Sequence, residues 1–285
     1  MIHLISCYDR LVIPILGQVE NPAGWVNTVK DLDAVIECVG GTAAVSEKLS
    51  AEILAAVSNA ARELRPQGSP KLTYIYTSGC WVHGDSRNEI ITDTTPIRLP
   101  LELVAWRPAR EQQVINDNTL NGFVIRPGIV YGRSGSVFAP FFQSASEGHV
   151  WYPGTPGGRF ALVHTDDLAD LYLRATEKAA ICGGLIFDVV NDYTESIDDV
   201  LSALVKVSGA KGPYEYRPPT NCVFLPHRFE LMLIISALFL VYEVALGAST
   251  LLRPYLARAL LGWRPSKPGL VDGLAIYYAA WKAVQ

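Results

Sequence analysis

The chain has 285 residues, which suffice for one large α/β domain or for one domain with a small cap. Hydrophobic residues make up 49% of the chain and charged residues 18%, and this balance excludes a disordered protein. The formal net charge is −4, so we expect no general attraction to nucleic acid or to anionic lipid. The five cysteines show no C-x-x-C spacing, which favours reduced thiols over a disulfide framework or a metal site.

Neither the N-terminal residues nor the longest apolar run of the chain predicts a targeting or membrane segment. Residues 1–10 lack a basic region followed by a long apolar run, so they do not resemble a signal peptide, and we expect a cytoplasmic protein. The longest apolar run, at residues 231–242, is ended by Glu243 well short of the roughly 20 residues that a span requires. A buried or groove-lining helix is therefore favoured there, with interfacial association as the alternative.

Short apolar runs alternate with helical stretches along the first three quarters of the chain. We predict strands at residues 10–16, 33–40, 72–77, 122–126 and 185–190. We predict helices at residues 21–30, from Thr42 to the loop at 65–70, at 101–117, within 161–179 after its first few residues, and at 196–207. Strands separated by helices indicate parallel βαβ units, and a sheet buried on both faces explains why these strands are apolar throughout.

The pattern changes after residue 212, where aromatic and proline-rich stretches surround helices without regular strand alternation. We therefore expect a Rossmann-like domain at residues 1–212 and a smaller, mostly helical cap at residues 213–285 that lies over the strand ends. A set of aromatic residues suits either a hydrophobic small-molecule pocket or ordinary core packing: Trp151, Tyr152, Phe224, Tyr242, Tyr277, Tyr278 and Trp281.

Three polar segments each follow a predicted strand. Residues 78–85 follow the strand at 72–77, residues 126–132 end the strand at 122–126, and residues 163–169 lead into a helix. The carboxyl ends of parallel strands meet at one edge of a sheet, where doubly wound folds bind ligands. The alternative is that these segments are turns whose hydroxyl groups satisfy the backbone.

Taken together, these segments resemble the extended short-chain dehydrogenase/reductase superfamily, in its NAD-dependent epimerase/dehydratase branch. The matching stretches are Asp31-Leu-Asp-Ala-Val-Ile-Glu, Tyr76-Thr-Ser-Gly79 with Gly84, Arg126-Pro-Gly with Tyr131-Gly132, Val163-His-Thr-Asp-Asp-Leu-Ala, Ile186-Phe-Asp-Val-Val-Asn-Asp192 and Ala257-Arg-Ala-Leu-Leu-Gly-Trp-Arg-Pro265. The resemblance implies a Rossmann-like doubly wound parallel sheet with a C-terminal cap, an NAD or NADP cofactor, and a small organic substrate. It also allows a homodimer formed through the helices near residues 42–65 and 101–117.

The sequence departs from this family at the cofactor-binding motif. The family opens with a strand, a Gly-x-x-Gly-x-x-Gly loop and a helix, whose backbone holds the pyrophosphate. This sequence contains no such loop, and residues 10–17 resemble the family's third strand. We therefore expect the first βαβ unit to be missing or reduced to residues 1–10, together with the residue that would select NAD or NADP.

The sequence also departs from the family at the catalytic tyrosine and lysine, which act there with a serine or threonine. An alignment on Glu111 places Leu103 at the tyrosine position and Arg107 at the lysine position, and the other compatible pair is Trp106 and Arg110. Leucine and tryptophan cannot transfer the reacting proton. Arginine can bind a ribose or an anion but does not shuttle protons at neutral pH. Tyrosines elsewhere could be recruited as the acid: Tyr76, Tyr131 and Tyr152.

These considerations define a candidate site. The catalytic candidates are Ser78, Arg107 and Tyr131, the cofactor-binding candidates are Gly40, Gly41, Thr77, Arg107, Arg126 and Pro127, and the substrate-binding candidates are His83, Tyr131 and His164. We expect an atypical enzyme acting on a small, hydrophobic metabolite, in which isomerisation or dehydration is as well supported as hydride transfer. The alternative is a non-catalytic binding or regulatory member, or a product shortened at its N-terminus.

Overall fold

A computed structural model describes residues 12–40, 43–134, 136–219 and 241–285. The strands, in chain order, are β1 (Ala34–Glu37), β2 (Leu72–Thr77), β3 (Ser86–Ile91), β4 (Leu120–Pro127), β5 (Ile129–Tyr131), β6 (Trp151–Pro153), β7 (Arg159–Phe160), β8 (Leu162–His164), β9 (Ile186–Val189), β10 (Glu195–Ser196), β11 (Glu215–Arg217) and β12 (Thr250–Leu252). The central sheet is parallel and has the strand order β1-β2-β4-β9. All four of its strands therefore end at the same edge.

Helices and short helical turns connect these strands. The helices are α1 (Ala43–Leu64), α2 (Arg107–Ile115), α3 (Ala139–Ser146), α4 (Thr165–Glu177), α5 (Ile197–Ser208), α6 (residues 241–247) and α7 (Leu270–Lys282). Short 3₁₀ turns lie at Pro22–Gly24, Val26–Asp31, Cys80–His83, Glu102–Val104 and Ala179–Ile181, and a π-helical turn lies at Ala257–Leu261.

Helices pack on both faces of the central sheet, which confirms the predicted doubly wound α/β class. On one face, Val57 of α1 and Val114 of α2 share a buried cluster with Tyr74 of β2. On the other face, Leu171 of α4 shares a cluster with Ile75 of β2. Burial on both sides requires wholly apolar strands, and β2 and β4 are buried along almost their whole length.

A second core lies beside the sheet and is rich in aromatic side chains. Phe142 of α3 contacts Tyr278 and Trp281 of α7 edge to face, and Leu201 of α5 belongs to the same cluster. Residues on both sides of position 212 thus share this core. The division into units at 1–212 and 213–285 stays a prediction.

Three predicted elements differ from the structure. Residues 12–17 form no strand, because Pro14 lacks the amide hydrogen that a strand ladder needs; residues 10 and 11 lie outside the described residues. The helix predicted at 21–30 is replaced by two 3₁₀ turns separated at Trp25. The helix predicted at 101–117 is a 3₁₀ turn followed by α2, which begins at Arg107 because the proline at Pro108 is favoured in a first helical turn.

No helix within the described residues is long and apolar enough to cross a membrane. Residues 231–240 of the long apolar run lie outside the described residues. The buried helix predicted for that run therefore stays a prediction.

Candidate ligand-binding site

A cavity of about 1010 Å³ lies where β2 and β4 end. Thr77 and Ser78 line it from the end of β2, and Pro127 and Tyr131 line it from the end of β4 and the segment that follows. The predicted motifs thus meet at the carboxyl edge of the sheet, as the fold class requires. Apolar side chains make up most of the remaining wall, including Leu103, Val104, Val130, Val137 and Pro140.

Ser78 presents hydrogen-bond acceptors to this cavity. Its backbone amide donates to the carbonyl oxygen of Ile125 at 2.8 Å, which anchors it to β4. Its hydroxyl group donates to the Glu111 carboxylate at 2.5 Å. A serine hydroxyl has a single proton, so Ser78 can offer only lone pairs to a ligand. It can accept from a ligand hydroxyl or amine, but it cannot donate to a developing oxyanion without breaking this bond.

Arg126 does not line this cavity and instead lines a smaller pocket of about 300 Å³ together with Glu111 and Asp93. Arg126 donates from Nε at 2.9 Å and from Nη2 at 2.5 Å to the carboxylate of Glu111, which is fully buried. Its Nη1 lies 3.8 Å from Asp188, its register partner on β9. This bidentate buried ion pair uses two of the five donors of the guanidinium, and the cofactor-binding role of Arg126 stays a prediction.

His83 continues the same buried network instead of contacting the cavity. Its Nε2 lies 2.9 and 3.0 Å from the two oxygens of Asp188, and only 1% of its side chain is exposed. Asp188 is fixed in turn by its backbone amide, which donates to Asp93 at 2.9 Å. The Nδ1 atom of His83 is buried without a partner, and the substrate-binding role of this residue stays a prediction.

Arg107 and Leu103 both line the cavity, at the positions that the resemblance assigns to the family's lysine and tyrosine. Leu103 lies in the 3₁₀ turn Glu102–Val104, and Arg107 begins α2, so one continuous helix does not carry both. Arg107 reaches the carbonyl oxygen of Thr77 only at 3.5 Å, and its Nε is buried without a partner. Trp106 beside it also lines the cavity, and its indole Nε1 has no partner either.

Tyr131 lines the cavity, but its hydroxyl group is already bonded. The hydroxyl donates to the Pro268 carbonyl oxygen at 2.8 Å and accepts from the Asn191 side chain at 3.0 Å. Burial raises the pKa of Tyr131, which further weakens it as an acid near neutral pH. These two bonds favour Tyr131 as a wall residue, and its catalytic role stays a prediction.

His164 is a helix cap. It precedes α4, and its Nδ1 accepts from the Asp166 backbone amide at 3.1 Å. Its ring packs against Tyr131 and Tyr277, with centroid distances of 5.3 and 5.5 Å. Burial lowers the pKa of His164, consistent with a neutral ring whose Nδ1 accepts. His164 does not line the cavity, and its substrate-binding role stays a prediction.

Of the remaining candidates, one lines the cavity, one does not, and one lies outside the described residues. Thr77 lines the cavity and its hydroxyl is 2.6 Å from that of Tyr172. Gly40 is exposed and does not line the cavity, and Gly41 lies outside the described residues. Two aromatic wall residues could not be identified from the sequence. Trp81 is not singled out by any pattern, and Tyr242 is only one of seven aromatic residues that suit either a pocket or the core. These two rings pack edge to face at 6.2 Å in the cavity wall.

The lining within the described residues contains no histidine, lysine or carboxylate. Its titratable members are Cys80, Arg107, Tyr131, Arg133 and Tyr242. Burial raises the pKa of Cys80 to about 12 and also raises that of Tyr242. None of these groups is suited to exchange protons near neutral pH, so the missing catalytic tyrosine is not replaced from the described wall.

A dinucleotide cofactor fits the described residues at one end only. Thr77, Arg107 and Pro127 line the cavity where the resemblance implies that a nicotinamide ribose is held. The sequence contains no Gly-x-x-Gly-x-x-Gly loop, and Gly40, just before α1, is exposed with no heavy atom within 4 Å of the place that a Cβ would occupy. The described residues thus form no cradle for the pyrophosphate. Metal-ligating clusters of His, Cys, Asp or Glu are absent from them as well.

Solved structures are similar to this chain, whereas no protein-family model and no curated protein matches it significantly. A UDP-glucuronic acid 4-epimerase from Bacillus cereus, in complex with UDP-glucuronic acid and NAD, matches with a TM-score of 0.69 at 16% identity, over 94% of this chain and 81% of that chain. A dTDP-glucose 4,6-dehydratase from Bacillus anthracis, in complex with NAD, matches with a TM-score of 0.75 at 12% identity, over 98% and 83%. A human epimerase family protein with NADPH matches with a TM-score of 0.63 at 17% identity, over 87% and 82%. At such identities the likeness establishes a shared fold.

Proposed function

We propose that this chain, which has the Rossmann-like fold of the extended short-chain dehydrogenase/reductases, is an atypical small-molecule enzyme of the epimerase/dehydratase type. The observation that carries the proposal is the large, mostly apolar cavity at the carboxyl edge of the sheet, lined by Ser78 and Arg107. Its volume suits a small organic metabolite, since ligand pockets occupy about 300–1,000 Å³. Its apolar wall favours a substrate with a hydrophobic body.

The lining residues favour isomerisation or dehydration in which the substrate proton is exchanged with solvent water, because the described lining holds no group suited to take it near neutral pH. Arg107 can donate to a substrate oxygen that gains negative charge, and the apolar wall around it strengthens this interaction. Ser78 can hold a substrate hydroxyl by accepting its proton in a hydrogen bond. Leu103 stands where a tyrosine would transfer a proton, so a reaction that relies on protein-borne acid catalysis is disfavoured.

A nicotinamide cofactor, when bound, would supply hydride transfer, and the similar epimerase and human epimerase family structures hold NAD and NADPH respectively. Arg107, Thr77 and Pro127 would contact the ribose end of such a cofactor. The described residues would hold only the ribose end of the cofactor, so no step of the proposed chemistry depends on the cofactor.

Incubation of the purified full chain with a metabolite extract, followed by mass spectrometry, tests this function. We expect one apolar metabolite to be consumed with time, giving an isobaric product or a product lighter by one water. Arg107→Gln should abolish this conversion, and Arg133→Gln, which changes a rim residue paired with Asp166, should preserve it. Conversion that appears only with added NAD or NADP would refute the cofactor-independent chemistry. No conversion under any condition would refute the enzyme.

A binding protein without catalysis is the second candidate. It is favoured by the same lining, which within the described residues lacks a group that exchanges protons near neutral pH. Saturable retention of a metabolite that is recovered unchanged would support this candidate. Stabilisation of the chain against thermal unfolding by NAD, NADP or their reduced forms would instead support an ordinary dehydrogenase.

A further inference from the structure

Arg107 brings a positive charge to the wall of a mostly apolar cavity without forming an ion pair among the described residues. Among the described residues no carboxylate lies within 4 Å of its guanidinium, and its hydrogen-bonding contact with the protein is the 3.5 Å approach to the Thr77 carbonyl oxygen. Its Nε is buried and out of reach of a ligand, so the donors left for a ligand are those of its two Nη atoms, one of which makes only the 3.5 Å contact.

The neighbouring arginines show how this fold treats such a charge elsewhere. Arg126 is neutralised by Glu111 in a bidentate pair, and Arg133 on the cavity rim lies 2.7 Å from Asp166. Arg107 is the exception among these three. Arg126 and Arg133 are thus ion-paired, whereas Arg107 at the cavity wall has no ion pair among the described residues.

The ring of Trp106 lies beside this charge, with the guanidinium carbon of Arg107 at 5.3 Å from the ring centroid. This stacking limits the orientations open to the guanidinium and so reduces the entropy lost when it binds a ligand.

The rest of the lining defines the other half of the ligand. The wall around Arg107 is formed largely by aliphatic and aromatic groups, among them Leu103, Val130 and Tyr242. Burial of apolar surface there contributes about 25 cal/mol per Å². A single unpaired cation matches a single negative charge, because a dianion such as phosphate would leave excess charge in an apolar site.

We propose that the cavity binds an apolar organic acid, with its carboxylate on Arg107 and its hydrocarbon body against the aliphatic and aromatic wall. This assigns a substrate class to the same cavity and rests on the proposed function. The planar guanidinium suits a carboxylate because both can form two parallel hydrogen bonds.

Calorimetric titration of the full chain with acid and amide pairs tests this assignment. The probes are octanoate, cyclohexanecarboxylate and 2-naphthoate, each compared with its uncharged primary amide. We expect at least one acid to bind tenfold or more tightly than its amide. In Arg107→Gln this preference should disappear, and Arg107→Lys should retain only part of it because an ammonium cannot form the paired bonds.

The matched control is Arg133→Gln, which removes a cavity-lining cation that already has a partner and should leave the preference unchanged. The cooperative thermal unfolding of each variant shows that it is folded. Failure of all three acids to bind, equal binding of acid and amide, or a preference that survives in both Arg107 variants would overturn the proposal. Acid binding without any turnover would leave it standing and would refute only the proposed catalysis.

Discussion

Replacement of Glu111 should destabilise the sheet edge on which the cavity is built. Glu111 has no exposed surface and accepts three hydrogen bonds, one from Ser78 and two from Arg126. In Glu111→Gln the charge is lost and the new amide group faces the donors of Arg126, which then keeps only Asp188 at 3.8 Å. Breaking one partner of a buried ion pair costs about 3–5 kcal/mol, a large share of the roughly 5–15 kcal/mol that stabilises a typical domain.

Urea denaturation followed by circular dichroism measures this loss. We expect a lower midpoint with an unchanged slope, which indicates lower stability and not a changed unfolded state. The double variant Glu111→Leu/Arg126→Met should lose less than Glu111→Gln, because it leaves no uncompensated charge on this pair.

The control is Glu89→Gln, which breaks an exposed pair with Arg98 at 3.6 Å and should change stability by less than about 1 kcal/mol. A Glu111→Gln variant as stable as this control would refute the role of the buried pair. A double variant that loses more stability than the single one would refute it as well.

Three further substitutions test individual assignments. Tyr131→Phe should lower the free energy of unfolding by about 1–3 kcal/mol while leaving acid binding within twofold, and a large loss of binding at full stability would contradict its role as a wall residue. Gly132→Ala should lower the unfolding free energy by at least about 1–3 kcal/mol, because φ is 106° and the new Cβ would overlap the imidazole of His164; a urea midpoint equal to that of the wild type would contradict this. His164→Asn should keep the helix cap but remove the imidazole whose protonation makes the stability depend on pH. The lowered pKa means that wild-type stability relative to this variant is complete above about pH 6.5 and falls as the pH drops toward the folded pKa, so parallel pH profiles would exclude the effect.

The location of the site could be predicted from the sequence because it follows from topology. Parallel strands joined by helices end at one edge, and the polar segments after residues 77 and 127 had to meet there. The strand ladder and the two covered faces follow from the apolar runs for the same reason. The helix cap at His164 and the short 3₁₀ turn before α2 depended on local geometry that the pattern does not specify.

The direction of the polar side chains could not be predicted. Arg126 ends a strand beside the cavity, but it turns to Glu111 and Asp188, which are distant in sequence and become neighbours only in the folded sheet. The hydroxyl of Tyr131 is likewise held by Asn191 and by a backbone carbonyl close to α7. Whether a charged or hydroxyl-bearing residue faces the ligand or the core is decided here by a pairing partner far along the chain.

A crystal structure of the full chain with 2-naphthoate tests the central claim, that this cavity is the ligand site and that Arg107 defines what it binds. We expect the carboxylate at about 2.7–2.9 Å from the Arg107 guanidinium and the rings between Leu103 and Tyr242. A carboxylate held by Arg133 instead, or a naphthoate bound anywhere outside this cavity, would contradict it.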